Sequence, residues 1–273
     1  MGWLFDKFGQ AIAGHLQKPV HGYEPFAPSD SEALRDSLRP ADVLLVEGDS
    51  RISDIIRYLT QSIWSHAALY VGPIEGAWTE DGESHVLIEA NIDEGVISAP
   101  LSKYFPYHTR ICRPHGLDGH DARTVCAYAI ERIGLDYDYR NLTDLMRHLM
   151  PRPRRGRRHV TALGSRDPSR IICSALIAQA YQSVHYPILP RVLRAENGAA
   201  RRDVLEKRHA SLYTPRDFDI SPYFAVVKPA LANGFNYKNL SWADETHPAA
   251  ADDRRAALAA RYSNAIPAQE QPA

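Results

Sequence analysis

Apolar and polar positions alternate over Ser65-His66-Ala67-Ala68-Leu69-Tyr70-Val71-Gly72. This predicts a strand with His66, Ala68 and Tyr70 on one face and Ala67, Leu69 and Val71 on the other. The apolar runs Val43-Leu44-Leu45-Val46 and Val86-Leu87-Ile88-Glu89-Ala90 predict two more strands, the first entered through the turn Leu38-Arg39-Pro40-Ala41-Asp42. Shorter strands are expected at 95–98, 109–113 and 223–227. Helical spacing takes over at 31–38, at 51–63 (Ile52, Ile55, Ile56, Leu59) and at 121–133, where Val125, Cys126, Ala129, Ile130 and Ile133 form one side and Gly134 the cap. Residues 142–149 and the stretch from Ile172 (Ile172, Ala175, Leu176, Ala180) read as further helices, and Pro215 starts a short helix or turn. The segment 73–84 is rich in Gly, Asp, Glu and Pro and reads as the loop joining two paired strands.

The ends follow different patterns. Residues 1–17 carry Trp3, Leu4, Phe8, Ala11, Ile12, His15 and Leu16 at helical spacing, an amphipathic helix with a heavy aromatic load. It either packs on the domain or meets a membrane surface or partner, although its polar face lacks the lysines and arginines that membrane-surface helices favour. Pro19, Gly22, Pro25 and Pro28 mark a linker up to residue 30. The expected organisation is this helix and linker (1–30), one globular domain (31–228) with a basic insertion at 151–168, and a tail (229–273) rich in Ala, Asp, Arg and Pro.

Composition narrows the classes. Apolar residues make up 44% and charged residues 24% of 273, as in a globular chain with a sizeable core. The formal net charge of −1 gives no field that would draw nucleic acid. Three cysteines, Cys112, Cys126 and Cys173, make no disulfide framework and fit a reducing compartment. With no basic leader and no membrane-length apolar run, the expected location is the cytoplasm, or outside it by a route that leaves no cleavable signal. The twelve histidines show no metal-ligand spacing, and no nucleotide loop, paired CxxC or HExxH occurs, so neither metal nor cofactor is expected.

The chemistry concentrates in two distant stretches. Cys173 lies at the start of an apolar helix, where the positive end of the dipole favours a thiolate. His66 lies on a strand and is a candidate base for that thiol. If the strands at 66–70 and 86–90 form a hairpin centred near Trp78, Glu89 falls roughly opposite His66 on the same face and orients the imidazole. The other reading makes Glu89 a surface-facing residue of a half-exposed strand, and a one-residue slip in register would separate the two. Tyr70 and Tyr137 are candidate pocket-lining residues, and Ser174 a candidate polar edge beside the thiol. Cys112 and Cys126 read as packing. The run Pro151-Arg152-Pro153-Arg154-Arg155-Gly156-Arg157-Arg158-His159 is either a solvated insertion or an anion-binding lid, with Arg154, Arg155, Arg157 and Arg158 as ligands.

Taken together, Arg39-Pro40-Ala41-Asp42-Val43 followed by Ser65-His66-Ala67-Ala68-Leu69-Tyr70-Val71-Gly72, then Leu87-Ile88-Glu89-Ala90 with Gly95-Val96, Gly134-Leu135-Asp136-Tyr137-Asp138 and Ile172-Cys173-Ser174-Ala175-Leu176, resemble the circularly permuted NlpC-type cysteine hydrolases. These are the YiiX/YaeF-like branch of the papain-like superfamily, related to lecithin:retinol acyltransferase-like proteins. The resemblance covers about residues 38–228. It implies an α+β fold, an antiparallel sheet or half-barrel with the nucleophile helix packed on it. It also implies Cys173 as nucleophile, His66 as base and Glu89 as the group orienting His66. Ala41 stands where that family often has glycine, and the basic insertion is a departure that leaves the substrate open. The expected activity is cleavage or transfer of an acyl group from an amide or ester, in a lipid or other acylated molecule or in a peptidoglycan-type peptide. The alternative is a non-catalytic module that binds an anionic partner through the arginine-rich run.

Overall fold

The four residues of strand β1, Val43–Val46, are all buried, as a strand covered on both faces requires. In the computed structural model this strand lies inside a six-stranded sheet. The structure describes residues 31–91, 94–135, 172–193, 204–229 and 238. The chain divides into two units, Met1–Asn233 and Gly234–Ala273, and the fold below is that of the first. Its elements in chain order are α1 (Ser31–Ser37), β1, α2 (Arg51–Thr60), β2 (His66–Tyr70), β3 (His85–Asn91), β4 (Gly95–Pro100), a single 3-10 turn (Leu101–Tyr104), β5 (Thr109–Pro114) and α3 (Gly119–Ile130). Then follow α4 (Ile172–Ser183), β6 (Arg191–Leu193), β7 (Val204–Glu206), a second 3-10 turn (Ala210–Leu212), α5 (Pro215–Asp219) and β8 (Phe224–Val227).

The sheet order is β4-β3-β2-β1-β5-β8, and every neighbouring pair is antiparallel. The fold is therefore α+β, as expected, with an open sheet. Strand alternation sends side chains to two separate cores. Val43, Leu45, Ala67, Leu69, Ile88, Ala90 and Cys112 pack with α3 and α4, whose inward residues include Val125, Ala129, Cys173, Leu176, Ile177 and Tyr181. Leu44, Val46, Ala68, Leu87, Ala99 and Ile111 pack on the other face under Leu34, Leu38, Leu101 and Tyr104.

Local chemistry sets the boundaries. Helix α2 starts at Ser50, whose side chain accepts from the Ser53 amide, and stops at Thr60 because Gln61 adopts the left-handed conformation, so it is shorter than the expected 51–63. Asp118 caps α3, accepting from the amides of His120 and Asp121 at 2.8 Å each. That helix ends at Ile130, before Gly134, which instead turns with a φ of 83° and donates to the Val96 carbonyl. Ala41 has a φ of 71°, in the left-handed region that glycine enters freely and other residues seldom adopt. Asp42 follows it, only 1% exposed and gripped by Arg113 from β5 through Nε at 2.9 Å and Nη2 at 2.6 Å. The pairing of β6 with β7 has no counterpart in the sequence expectations. The expected elements at 1–30, 142–149 and 151–168, and all of the tail but Pro229 and Lys238, lie outside the described residues.

Candidate active site

His66 is the first residue of β2 and pairs with Val46 of β1. The residue before it anchors the strand: Ser65 is buried, its amide donates to the Val46 carbonyl at 3.1 Å, and its hydroxyl accepts from the Gly48 amide at 2.9 Å. Trp64, 1% exposed, precedes it and donates from Nε1 to Asp219 Oδ2 at 3.1 Å. Arg110 of β5 bonds the other oxygen of Asp219 at 2.6 Å and lays its guanidinium 4.9 Å from the centre of the Trp64 ring.

The β2–β3 ladder is short. It pairs Tyr70 with Leu87 and Leu69 with Ile88, is extended past Tyr70 by the Val71 amide on the Val86 carbonyl at 2.9 Å, and does not continue toward His66. Yet β2 runs back to His66 against β1, and β3 runs on to Asn91 against β4. The sheet forks at this point. The Ala67 amide, which a continued ladder would turn toward β3, faces the Cys173 sulfur instead and lowers the thiol. Helix α4 packs on both β2 and β3, and Cys173 stands in its first turn, 1% exposed.

Across the fork, His66 Nε2 lies 2.6 Å from Glu89 Oε2. The expected register was near but not right. Continuing the observed pairs sets Asn91 opposite His66, so Glu89 is its diagonal neighbour, displaced by two residues. A displacement by two preserves the face, which is why the contact survives. The surface-facing reading of Glu89 is overturned, because its side chain is 0% exposed. Both its oxygens are occupied: Tyr104 donates its hydroxyl to Oε2 alongside His66, and the Lys103 ammonium sits on Oε1. With Nε2 on Glu89, Nδ1 is the ring nitrogen left for Cys173, and the imidazole and the thiol each shift the other's protonation.

The charges follow this geometry. Burial alone would raise the Cys173 thiol, but the His66 imidazolium, the Ala67 amide and the Ser174 hydroxyl bring it below the usual thiol range. Burial alone would lower His66, yet the Cys173 thiolate and the Glu89 carboxylate push it up to about 10. Burial works against the charge on Glu89 too, and His66 and Lys103 hold that carboxyl down at about 2. The other two thiols behave oppositely: burial pushes Cys126 up to about 11 and Cys112 higher still.

Of the remaining expected site residues, Ser174 is buried with its hydroxyl 3.9 Å from the Cys173 sulfur. Tyr70 is not brought to the thiol. It ends β2, four residues and about 13 Å of strand from His66, where it packs with the core under α1. Tyr137, Arg154, Arg155, Arg157 and Arg158 lie outside the described residues. Lys103 and Tyr104 escaped the sequence reading. An acidic residue inside an apolar strand needs partners, and the hairpin that returns the chain past Glu89, with Glu89 opposite Ile97, brings up Lys103 and Tyr104 directly afterwards.

The donor set does not suit a metal ion. Both Glu89 oxygens already hold donors, one of them a cationic ammonium, and among the described residues no group of three His, Cys, Asp or Glu side chains has metal-binding geometry. Among those residues, too, no helix is long and apolar enough to cross a membrane.

No protein-family model and no curated protein matches the sequence. Five chains of solved structure match the fold. One is a metalloprotein, YiiX of Escherichia coli O157:H7, which is 15% identical, with the match covering 69% of this chain and 96% of that one at a TM-score of 0.42.

Proposed function

We propose that the protein is a thiol-dependent hydrolase or acyltransferase acting on an amide or ester carbonyl, with a papain-like arrangement of the permuted NlpC type in which the histidine strand precedes the cysteine helix. The observation that carries this reading is the chain of contacts from the fully buried Glu89 through His66 to the Cys173 thiol in the first turn of α4. A carboxylate buried at 0% exposure and committed to an imidazole fixes the ring's orientation and favours its charged form.

In this reading His66 takes the thiol proton, and the Cys173 sulfur attacks the carbonyl carbon to give a tetrahedral oxyanion. The Ala67 amide beside the sulfur and the Cys173 amide at the helix N-terminus are the donors for that oxygen. When the oxyanion collapses, the bond to the leaving nitrogen or oxygen breaks and His66 returns the proton to it. Water or another acceptor, deprotonated by His66, then attacks the thioester and frees the thiol. The substrate is a lipid or other acylated molecule, or a peptidoglycan-type peptide.

Two measurements test the reading. The ultraviolet thiolate signal of the protein, minus that of Cys173→Ala, titrates this thiol whatever its accessibility. Its midpoint should fall well below the value of about 8.5 for a free thiol. Mass spectrometry after incubation with activated acyl esters should find the acyl group on Cys173 and not on Cys112 or Cys126. A midpoint near the free-thiol value, with ester turnover surviving Cys173→Ala, overturns the reading and leaves the anion-binding module in its place.

A further inference from the structure

Resting on the reading of Cys173 and His66 as the reacting pair, we propose that Lys103 is a positioning residue for that pair, acting through Glu89 to make the thiolate–imidazolium form electrically neutral as a group of four. Lys103 belongs to the 3-10 turn that follows β4 and is 40% exposed, but its ammonium is turned inward onto the fully buried Glu89 Oε1. A lysine in that position has water within reach and holds the carboxylate instead. The next residue, Tyr104, completes the grip from the other oxygen with its hydroxyl, and Tyr104 is 4% exposed.

The charge count decides what Lys103 adds. Glu89 and Cys173 as anions and His66 and Lys103 as cations sum to zero. Without Lys103 the same protonation state carries a net charge of −1 in a buried setting, where an unbalanced charge is poorly tolerated. Each remaining group then holds its proton more tightly. The sign is the same for the thiol and for the imidazole, so both limbs of the reactive pH window move upward.

The other titratable or polar groups that face this site are few. His66 comes from β2, Glu89 from β3 and Ser174 from α4 itself, while Tyr107 packs against the outer side of Tyr104 with ring centres 6.2 Å apart. The polar groups that other elements bring to α4 lie along its length. Tyr128 of α3 reaches Gln179, and the carbonyl of Arg208, before the second 3-10 turn, reaches Gln182, six and nine residues beyond Cys173. Lys103 is therefore the cation that balances Glu89 among the described residues around the site.

The test is the thiolate titration of Cys173 in wild type, Lys103→Arg, Lys103→Gln, Lys103→Met and Tyr104→Phe. Lys103→Gln retains a donor for Glu89 and removes only the charge, and Lys103→Arg retains both. The thiolate midpoint should rise by about 0.5–1 pH unit in Lys103→Gln and in Lys103→Met. It should return to the wild-type value in Lys103→Arg and stay within a few tenths of it in Tyr104→Phe. A purely structural role for Lys103 would lower the melting temperature and leave the midpoint in place. An unmoved midpoint in Lys103→Gln, with the wild-type thiol titrating well below 8.5, overturns this proposal and leaves the assignment of Cys173 standing. A wild-type thiol that titrates near about 8.5 defeats that assignment itself, and the proposal with it.

Discussion

Glu89 and His66 are bonded at 2.6 Å although the sheet does not set them opposite each other. The carboxylate reaches diagonally across the fork between β2 and β3 and stays on the imidazole's face because two residues of offset preserve strand parity. In the proposed mechanism, orientation of the ring depends on Glu89, whereas acceptance of the thiol proton depends on the ring itself.

That division predicts unequal kinetic losses. With an activated acyl ester as substrate, His66→Ala should lower kcat/KM by about 10²–10⁴-fold, the contribution typical of a positioned base. Glu89→Gln retains the length and one acceptor, so its loss should be smaller than that of His66→Ala. Equal losses from the two would mean that Glu89 does more than orient.

Stability should fall off on both sides of a plateau. Glu89 is held at about 2 against an ordinary 4.5, so its stabilising part is complete above 4.5 and disappears as pH falls from there through 2. His66 is raised from 6.5 to about 10, so its part is complete below 6.5 and disappears as pH rises through 10. Cys173 is lowered, so its own part grows as pH rises toward the free-thiol range and offsets the first of the loss from His66. Urea unfolding should therefore place the alkaline decline near pH 10. Glu89→Gln should flatten the acid decline and His66→Ala the alkaline one.

Ser174 offers a graded check on the thiol's surroundings. Its hydroxyl is 3.9 Å from the sulfur, a long contact that lowers the thiol less than the His66 imidazole does. Ser174→Ala should therefore raise the thiolate midpoint by less than His66→Ala does. A larger rise in Ser174→Ala would show that the hydroxyl, and not the imidazole, holds the thiolate.

Away from the site, the pair of Arg113 and Asp42 ties β5 to the turn before β1. Arg113→Met would strand a carboxylate that is 1% exposed, with the Arg39 amide as a remaining donor at 2.8 Å. Removing one partner of a buried pair typically costs about 3–5 kcal/mol. Arg113 itself is 21% exposed, so a loss near about 3 kcal/mol in urea unfolding at neutral pH is expected. A loss below about 1 kcal/mol would place this pair with ordinary surface ion pairs.

The parts of the site that could be read from the chain are those set by local period. His66 and Glu89 share a face by strand alternation alone, and the apolar spacing around Cys173 places that thiol at the opening of a helix. The register is less legible because it depends on how the 73–84 loop closes, and Trp78 and Ser84 bridge within that loop. Lys103 and Tyr104 lie on a single turn with no period to betray it. The link from Trp64 to Asp219 spans 155 residues, and no local pattern encodes it.

The fork has a mechanical consequence. It divides the sheet into two panels, β4–β3 and β2–β1–β5–β8, joined by the pairs Leu69–Ile88 and Tyr70–Leu87 and by the bond from the Val71 amide to the Val86 carbonyl. Glu89 belongs to one panel and His66 to the other, while α4, which carries Cys173, rests on both. The distance between Glu89 and His66 therefore follows the angle between the two panels. A substitution at Leu69 or Ile88, the pair nearest the opening, is expected to change the separation of Glu89 and His66 by altering the angle between the panels.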